Sequence, residues 1–516
     1  MFFLSNVLFT YICRFQKNIA IVCIYFKLFN YIYIIFHFRY NIGSFKKINM
    51  SNIKIIAILI AIFCLTNHLV LSDYCYTDDT DPFMHFGPYT RNHIVRGAIT
   101  NPHLPNCKLR QIWMLARHSI SSDNNYWSPH VHELLQKYHN NISESYDLGG
   151  VHLCAKDIEK LREWKKYEFL DDDNLKLLIK QDKQDMFSLG IRFKNYFPNF
   201  FEYDSVKSLK HEYLFRGIEQ LGTKDSINSF INGLFGNVTF DIKIKKKDNL
   251  LQFHNIYQPF LKHKSASQMK EFHKYIQSAE WNEMLQSISD RLGYSSPLPF
   301  STIKSFYRTC TFETIYYGSS PWCAIFRKED LEKIQFSEDL MSYYHSGYGQ
   351  NMRQIVGCPM VKDVYNHFRN FEDGYGVDEP KGIFYFADIT AIQLLLSTIG
   401  AAKDPEPLLA KNFIQARNRK WYQAHLTPLS ANLVIMLFKY VHDYFRFFLI
   451  IQINLFSSYY SANIIFRCSK DYKVNLYLNE KPLDIDCCEH GICDWNFLRN
   501  KLEETVFNCK ADICHD

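Results

Sequence analysis

The chain has 516 residues, of which 47% are hydrophobic and 22% charged, and these proportions exclude a mainly disordered protein. Its net charge of +6 is confined to residues 1–49, which hold six of the 59 lysines and arginines and no acidic residue. The rest of the chain is balanced in charge. This argues against nucleic acid as a partner, because a nucleic-acid-binding protein carries its basic charge on the folded body.

Residues 50–72 are predicted to be a secretory signal peptide. Lys54 precedes an apolar run from residue 55 to residue 65, and Ser72 is a small residue suited to cleavage. The run is shorter than the ~20 residues that span a bilayer, and a buried helix or a membrane anchor is the alternative. We therefore predict that the protein is secreted or lies in the lumen of the secretory pathway.

Residues 1–49 would precede this signal peptide. We interpret them as a non-native extension and place the start of translation at Met50. The alternative is a genuine amphipathic segment on a membrane surface, and only in that case do we expect a membrane as a partner.

The segments beyond residue 72 predict an α/β fold. Two short apolar runs, at 111–116 and 383–387, are predicted to be buried strands. Helical spacing of apolar residues predicts helices at 155–170, 172–203, 226–236, 267–292 and 391–400. Strands followed by helices indicate a three-layer α/β/α core with a mainly parallel sheet and an inserted, mostly helical cap.

The domain boundaries follow from this order of elements. The α/β core is placed at about 73–125, 205–240 and 380–516, and the helical cap at about 126–204 and 241–379. Residues 441–467 share the Phe, Ile, Tyr and Asn bias of residues 1–49. We interpret them as an insertion, with a core helix as the alternative.

The cysteine content fits an exported chain. An even number of cysteines in such a chain predicts disulfides. Zinc binding by the C-terminal cysteines is the alternative, but they form no closely spaced pair of the usual kind. The set beyond residue 72 comprises Cys75, Cys107, Cys154, Cys310, Cys323, Cys358, Cys468, Cys487, Cys488, Cys493, Cys509 and Cys514.

Two sequence triplets are acceptors for N-glycosylation. They begin at Asn141 and Asn237. If used, both asparagines are expected in surface loops.

Arg117-His118 directly follows the first predicted strand, where active sites of α/β folds gather. A neutral histidine can attack phosphorus, and an adjacent arginine can hold phosphate oxygens by two hydrogen bonds. A buried structural histidine is the alternative, since such pairs are common by chance. The candidate chemistry requires neither a metal nor a cofactor.

The sequence resembles the histidine acid phosphatase branch of the histidine phosphatase superfamily, and within it the multiple inositol polyphosphate phosphatases. The resemblance implies a phosphohistidine mechanism in which three arginines and a second histidine clamp the phosphate and an acid protonates the leaving oxygen. It also implies a phosphorylated small molecule, such as an inositol polyphosphate, as the ligand. It covers about residues 73–516 and rests on Leu115–His118, Pro105–Lys108, Ser320–Phe326, Asp339–Tyr344, Gly347–Gly349, Lys403–Leu408, Pro428–Asn432 and Asn479-Glu480.

The opening motif of that family is only partly present. Arg117 and His118 match it, but Ser119 stands where glycine is expected. Ser121 replaces the second arginine, and Asp123 replaces the proline. Of the residues that define the opening motif, only Arg117 and His118 are therefore of the type that the family has.

The other motif positions have also changed. The third arginine falls at Gly222. Counting back from Lys403 without gaps places Asp388 at the second histidine and Thr390 at the acid. A two-residue slip would instead place Asp388 at the acid and Phe386 at the histidine. Asp388 is therefore retained as a catalytic candidate.

These replacements predict a weak or inactive pseudo-phosphatase, because losing one preorganised donor costs about 3 kcal/mol of transition-state stabilisation. One alternative is an active phosphatase with a rearranged clamp that uses Arg216 or the lysines of 243–247. Another is a binding protein for phosphorylated ligands. The lysine run is more typical of a solvated surface.

Overall fold

The computed structural model describes residues 74–99, 104, 106–118, 129–165, 172–263, 269–376, 378–440, 472–486 and 488–509. The predictions made for residues 1–49, 50–72 and 441–467 lie outside these ranges.

Within the described residues, a nine-stranded mixed sheet forms the centre of the fold, in the order β3-β2-β4-β1-β5-β6-β9-β8, with β7 paired to β6. Strands β1 to β4 run parallel to one another, and β5 runs antiparallel to β1. The strands are β1 Cys107–Arg117, β2 Tyr213–Ile218, β3 Lys243–Lys245, β4 Gly382–Ala387, β5 Asn432–Tyr440, β6 Tyr472–Leu478, β7 Lys481–Pro482, β8 Cys488–Glu489 and β9 Ile492–Asp494.

Helices surround this sheet. They are α1 Asn92–Val95, α2 Pro129–Asp147, α3 Ala155–Glu163, α4 Asp172–Tyr196, α5 Val206–Glu212, α6 Thr223–Phe235, α7 Phe253–Ile256, α8 Gln258–His263, α9 Lys270–Ile276, α10 Ala279–Arg291, α11 Phe300–Tyr317, α12 Lys328–His345, α13 Arg353–Glu372, α14 Ile389–Ile399, α15 Gln423–Leu426 and α16 Trp495–Phe507. Short 3₁₀ helices lie at Tyr76–Asp78, Gly87–Tyr89, Pro198–Phe200, Pro321–Ile325 and Gln415–Asn418.

The alternation of side chains along β1 produces the three layers. Ile112 and Met114 pack on one face of the sheet with apolar residues of α4 and α6. Trp113 and Leu115 pack on the other face with residues of α13, α14 and α16. Successive residues of a strand point to opposite faces, so one buried apolar run serves both cores. The predicted three-layer α/β architecture is confirmed.

Two corrections concern which helices belong to the core. Helix α4 was assigned to the cap, but its Met186, Leu189 and Phe193 pack against the sheet. Helix α13 was also assigned to the cap and instead covers the opposite face. An amphipathic pattern predicts that a helix has a buried face, but it does not identify whether that face packs on the sheet or on other helices.

Most predicted elements lie close to their observed bounds. The helix predicted at 226–236 begins at Thr223 and ends at the cap residue Gly236. The long helix predicted at 267–292 is wrong as a single element. It is divided into α9 and α10 because Ser278 accepts a hydrogen bond from the Trp281 amide and starts a new helix.

The disulfide prediction is confirmed for the described cysteines, all nine of which are disulfide-bonded. The assigned pairs are Cys75–Cys154, Cys310–Cys323, Cys358–Cys509 and Cys488–Cys493. Cys488, Cys493 and Cys509 belong to the C-terminal cluster, so the zinc alternative is wrong for these three residues.

The two glycosylation candidates differ in their surroundings. Asn237 is exposed in the loop after α6, as expected. The expectation of a surface loop is wrong for Asn141, which is half-buried within α2. In the part of the chain that the structure describes, no helix is both long enough and apolar enough to span a membrane.

Helices α4 and α6 cross where two glycines allow their backbones to touch. A β-carbon on Gly233 would lie 2.3 Å from the carbonyl oxygen of Phe187 and 3.0 Å from Cα of Gly190. We therefore expect Gly233→Ala to lower the free energy of unfolding by about 1–3 kcal/mol, because the helices must separate. Urea denaturation followed by circular dichroism measures this change.

Gly150→Ala is the matched control for this substitution. Its added β-carbon would have an ordinary 3.4 Å contact with the carbonyl oxygen of Ser145. Equal stability of the Gly233→Ala and Gly150→Ala proteins would contradict the close-packing argument.

Candidate active site at the carboxyl edge of the sheet

Arg117 and His118 lie at the carboxyl end of β1, beside the carboxyl end of the neighbouring parallel strand β4. Arg117 is the last residue of β1, and its amide donates to the carbonyl of Ala431 at 2.7 Å. The amide of His118 donates to the carbonyl of Ala387, the last residue of β4, at 3.1 Å. Both side chains are buried. This is the edge where α/β folds position their ligands.

The guanidinium of Arg117 is partly used to hold the backbone. Its Nη1 donates to the carbonyl of Thr427 at 2.9 Å and also to the carbonyl of Pro88. Burial lowers the pKa of Arg117 to about 10, so the side chain is still charged at neutral pH. The sequence predicted that Arg117 binds phosphate. In the structure its side chain also connects the segments of Pro88 and Thr427 to the end of β1.

Asp182 is a buried carboxyl group beside Arg117 that the sequence did not identify. Burial raises its pKa to about 7, and a hydrogen bond from Ser226 and the charge of Arg117 act in the opposite direction. It lies on α4, the helix that the sequence placed in the cap. The charge near Arg117 therefore varies between acidic and neutral pH.

Asp388 occupies the N-cap of α14, directly after β4. Its Oδ1 accepts a hydrogen bond from the Ala391 amide at 3.0 Å, which is the usual function of a capping aspartate. Its Oδ2 lies 2.9 Å from Nε2 of His254, a buried residue of α7. A histidine from a distant part of the chain therefore contacts the residue that the ungapped count assigns to the motif's second histidine.

These groups form one electrostatic cluster. Burial alone would raise the pKa of Asp388, but the charge and hydrogen bond of His254, the Ala391 amide and the charge of His118 together lower it. The charge of Asp388 also acts on Arg117. The structure therefore brings together Arg117, His118, Asp388 and His254, of which the first three were predicted.

The remaining motif positions differ in what they can contribute. Gly222 is the N-cap of α6 with a φ of 79°, a conformation that suits glycine and would strain a longer residue. Thr390 is half-buried in the first turn of α14. Phe386 is fully buried in the core, so it cannot face a ligand as the slipped alignment would require. Ser119 and Ser121 lie outside the described residues.

Arg216, a candidate replacement cation, is already paired. Its Nε and Nη2 donate to the two carboxylate oxygens of Asp248 at 2.6 and 2.7 Å, and Asp248 is fully buried. The lysines of 243–247 are exposed on and beside the edge strand β3. Lysines on an edge strand discourage pairing with another chain, which agrees with the interpretation as a solvated surface.

One group in the described part of the chain has three potential metal ligands, Cys75, Cys154 and Asp157. Its two cysteines are bonded to each other. Asp157 accepts hydrogen bonds from the amides of Tyr76 and Thr77 at 2.9 and 2.8 Å. These atoms stabilise the N-terminal segment and leave no thiolate for a metal.

Comparison with known proteins shows the family of this chain. The sequence profile described as histidine phosphatase superfamily (branch 2) matches residues 131–450. Multiple inositol polyphosphate phosphatase 1 of Drosophila melanogaster is 26% identical over 443 residues, which cover 84% of this chain and 88% of that protein. The Homo sapiens protein of the same name is 22% identical over 358 residues, with coverage of 65% and 67%.

A solved structure supports the fold. The phytase from D. castellii superposes with a TM-score of 0.60 at 17% identity, covering 84% of this chain and 90% of the phytase. The α/β fold predicted from the sequence thus agrees with an experimental structure.

Proposed function

Because this chain belongs to the histidine phosphatase superfamily, branch 2, we propose that it is a secreted protein that binds phosphorylated small molecules and hydrolyses them weakly or not at all. The ligand class is inositol polyphosphates, in keeping with the relatives named multiple inositol polyphosphate phosphatase 1. Secretion is supported by the disulfide bonding of all nine described cysteines, since such bonds persist in oxidising compartments.

One observation carries the proposal of weak activity. Asp388 directly follows Ala387, whose carbonyl accepts a hydrogen bond from the amide of His118 at 3.1 Å. The pKa of Asp388 is lowered mainly by His254, against the effect of burial. The ungapped count from Lys403 assigns this carboxylate to the position of the motif's second histidine. Charge accumulates on the phosphate oxygens in the transition state, and preorganised positive groups stabilise it. A carboxylate at this place has the opposite effect.

A second candidate function is an active phosphomonoesterase with a rearranged centre. It is favoured by the contact between His254 and Asp388, because this pair supplies an imidazole that the motif itself lacks. In that case His118 would accept the phosphoryl group, and the proton for the leaving oxygen would come from the pair.

An assay with para-nitrophenyl phosphate and inositol hexakisphosphate tests the two candidates. We expect the wild-type protein to release little phosphate and His118→Ala to release no less within error, because transition-state stabilisation is weak. Robust turnover that disappears in His118→Ala would support the second candidate and contradict the first.

A further inference from the structure

His254 is held next to Asp388 by a buried anchor. Asp248 is fully buried and binds Arg216 of β2 through both carboxylate oxygens. Its Oδ1 also accepts the amides of Leu250 and Leu251 at 2.9 Å each. The segment that leads into α7 is therefore fixed to the sheet, and His254 is positioned by more than its own hydrogen bond.

The contact between His254 and Asp388 decides the charge at the motif position. With His254 protonated, the imidazolium and the carboxylate balance each other. With His254 neutral, the ionised Asp388 leaves one negative charge close to His118. A polyanionic ligand experiences this difference directly, because unit charges a few ångströms apart interact strongly in a partly buried site.

The other surroundings of His254 add little charge within the described residues. Helix α13 packs on α7 through the apolar side chains of Met352 and Val356, and Leu394 of α14 joins the same cluster. Arg353, at the start of α13, is directed over the ring of Tyr348. The charged groups that face the pair are those of the site itself, Arg117 and His118, together with Asp182, the buried carboxyl group beside Arg117. Arg216 and Asp248 neutralise each other on the anchoring segment.

We propose that His254, supplied from outside the family motif, replaces the charge of the motif's second histidine, so that the site binds a phosphorylated ligand when the His254–Asp388 pair carries a proton and releases it when the pair does not. His254 acts as a positioning and charge-balancing residue. This inference rests on the proposed function, in which the site binds inositol polyphosphates.

The test uses inositol hexasulfate, whose sulfate groups do not titrate between pH 5 and 8, so any pH dependence comes from the protein. Histidine is the side chain that ordinarily changes charge in this range. Asp182 also changes charge there, because burial raises its pKa to about 7. An anion binds the protonated pair more tightly, and its affinity therefore falls as the pH rises. Isothermal titration calorimetry at constant ionic strength is expected to show roughly tenfold or greater weakening between pH 5.5 and pH 7.5.

Two variants separate charge balance from a merely structural contact. His254→Gln keeps a hydrogen-bond donor but loses the charge, and we expect weak binding at both pH values. Asp388→Asn keeps a side chain that can cap α14 but removes the negative charge. It is expected to bind about as tightly at pH 7.5 as the wild type does at pH 5.5.

His118 and Asp182 belong to the same site, and each requires its own control. Asp182→Asn should still lose affinity for inositol hexasulfate as the pH rises. His118→Asn should bind more weakly overall but still lose affinity as the pH rises. If His118→Asn or Asp182→Asn abolishes the pH dependence, or if His254→Gln retains it, the inference is wrong. No binding of inositol hexasulfate by the wild type at any pH would instead contradict the proposed function on which the inference rests.

Discussion

Asp339→Ala is expected to lower the free energy of unfolding by about 3–5 kcal/mol, because it leaves a buried arginine without its partner. Asp339 lies on α12 and is fully buried. One of its oxygens accepts from Nε of Arg419 at 2.7 Å, and the other accepts from the Gln423 amide at 2.8 Å and from Gln335 at 3.0 Å. The side chain of Arg419 is only 4% exposed, so water cannot replace the carboxylate.

Urea denaturation measured by circular dichroism tests this prediction. Glu163→Ala is the matched control, because it breaks the ion pair with Lys160 in which both side chains are more than half exposed. Little change is expected there, since solvent and salt screen an exposed pair. Asp339→Ala and Glu163→Ala proteins of equal stability would show that the buried pair does not hold α12 to the loop that carries Arg419.

The sequence predicted the central parallel strands well because their pattern is local. The runs at 111–116 and 383–387 are continuous apolar segments, and both strands are buried on two faces as such runs require. Gly236 and Gly400 were recognisable as helix ends, and both have a positive φ at the C-cap.

Strands β5 and β6 were not predicted, because the sequence does not mark where β5 ends. They pair antiparallel with each other from Leu433 with Leu478 to Lys439 with Tyr472. Residues 441–471 separate the two strands along the chain, and the apolar composition continues directly beyond β5. Neither a turn signal nor a change in composition marked where the strand ended.

The candidate site was only partly predictable. Arg117 and His118 are adjacent in sequence and follow a strand, and Asp388 is near the next motif segment, so each has a local signal. His254 has none, because 134 residues separate it from Asp388 along the chain. Asp182 appeared as one acidic residue of an amphipathic helix, and only tertiary packing makes it a buried carboxyl group beside Arg117.

Under the proposed function, the difference from the family lies in the electrostatics of the site rather than in the scaffold. The strands that position His118 are intact, and Arg117 still follows β1 as the motif requires. The groups that differ at the described positions are those that set the charge, Asp388 and Thr390 on α14 and Gly222 before α6. Restoring charge at these positions should therefore restore activity without rebuilding the fold.

Asp388→His combined with Thr390→Glu is expected to raise kcat/KM for para-nitrophenyl phosphate at least tenfold over the wild type. The substitutions return a phosphate-binding imidazole, and an acid that can protonate the leaving oxygen, to the first turn of α14. One preorganised donor contributes about 10²-fold and a positioned general acid about 10²–10⁴-fold. The expectation is set lower because the capping hydrogen bond of Asp388 and its contact with His254 are lost.

Adding His118→Ala to this double variant provides the decisive control. If the gained activity comes from the reassembled centre, it should disappear with His118, which is the proposed nucleophile. Asp388→Asn with Thr390 unchanged separates relief of charge repulsion from the return of motif groups, and only a small gain is expected from it. A gain that persists without His118 would place the activity elsewhere. No gain in the double variant would mean that the positions of Ser119, Ser121 and Gly222 limit catalysis more strongly than the charge next to His118.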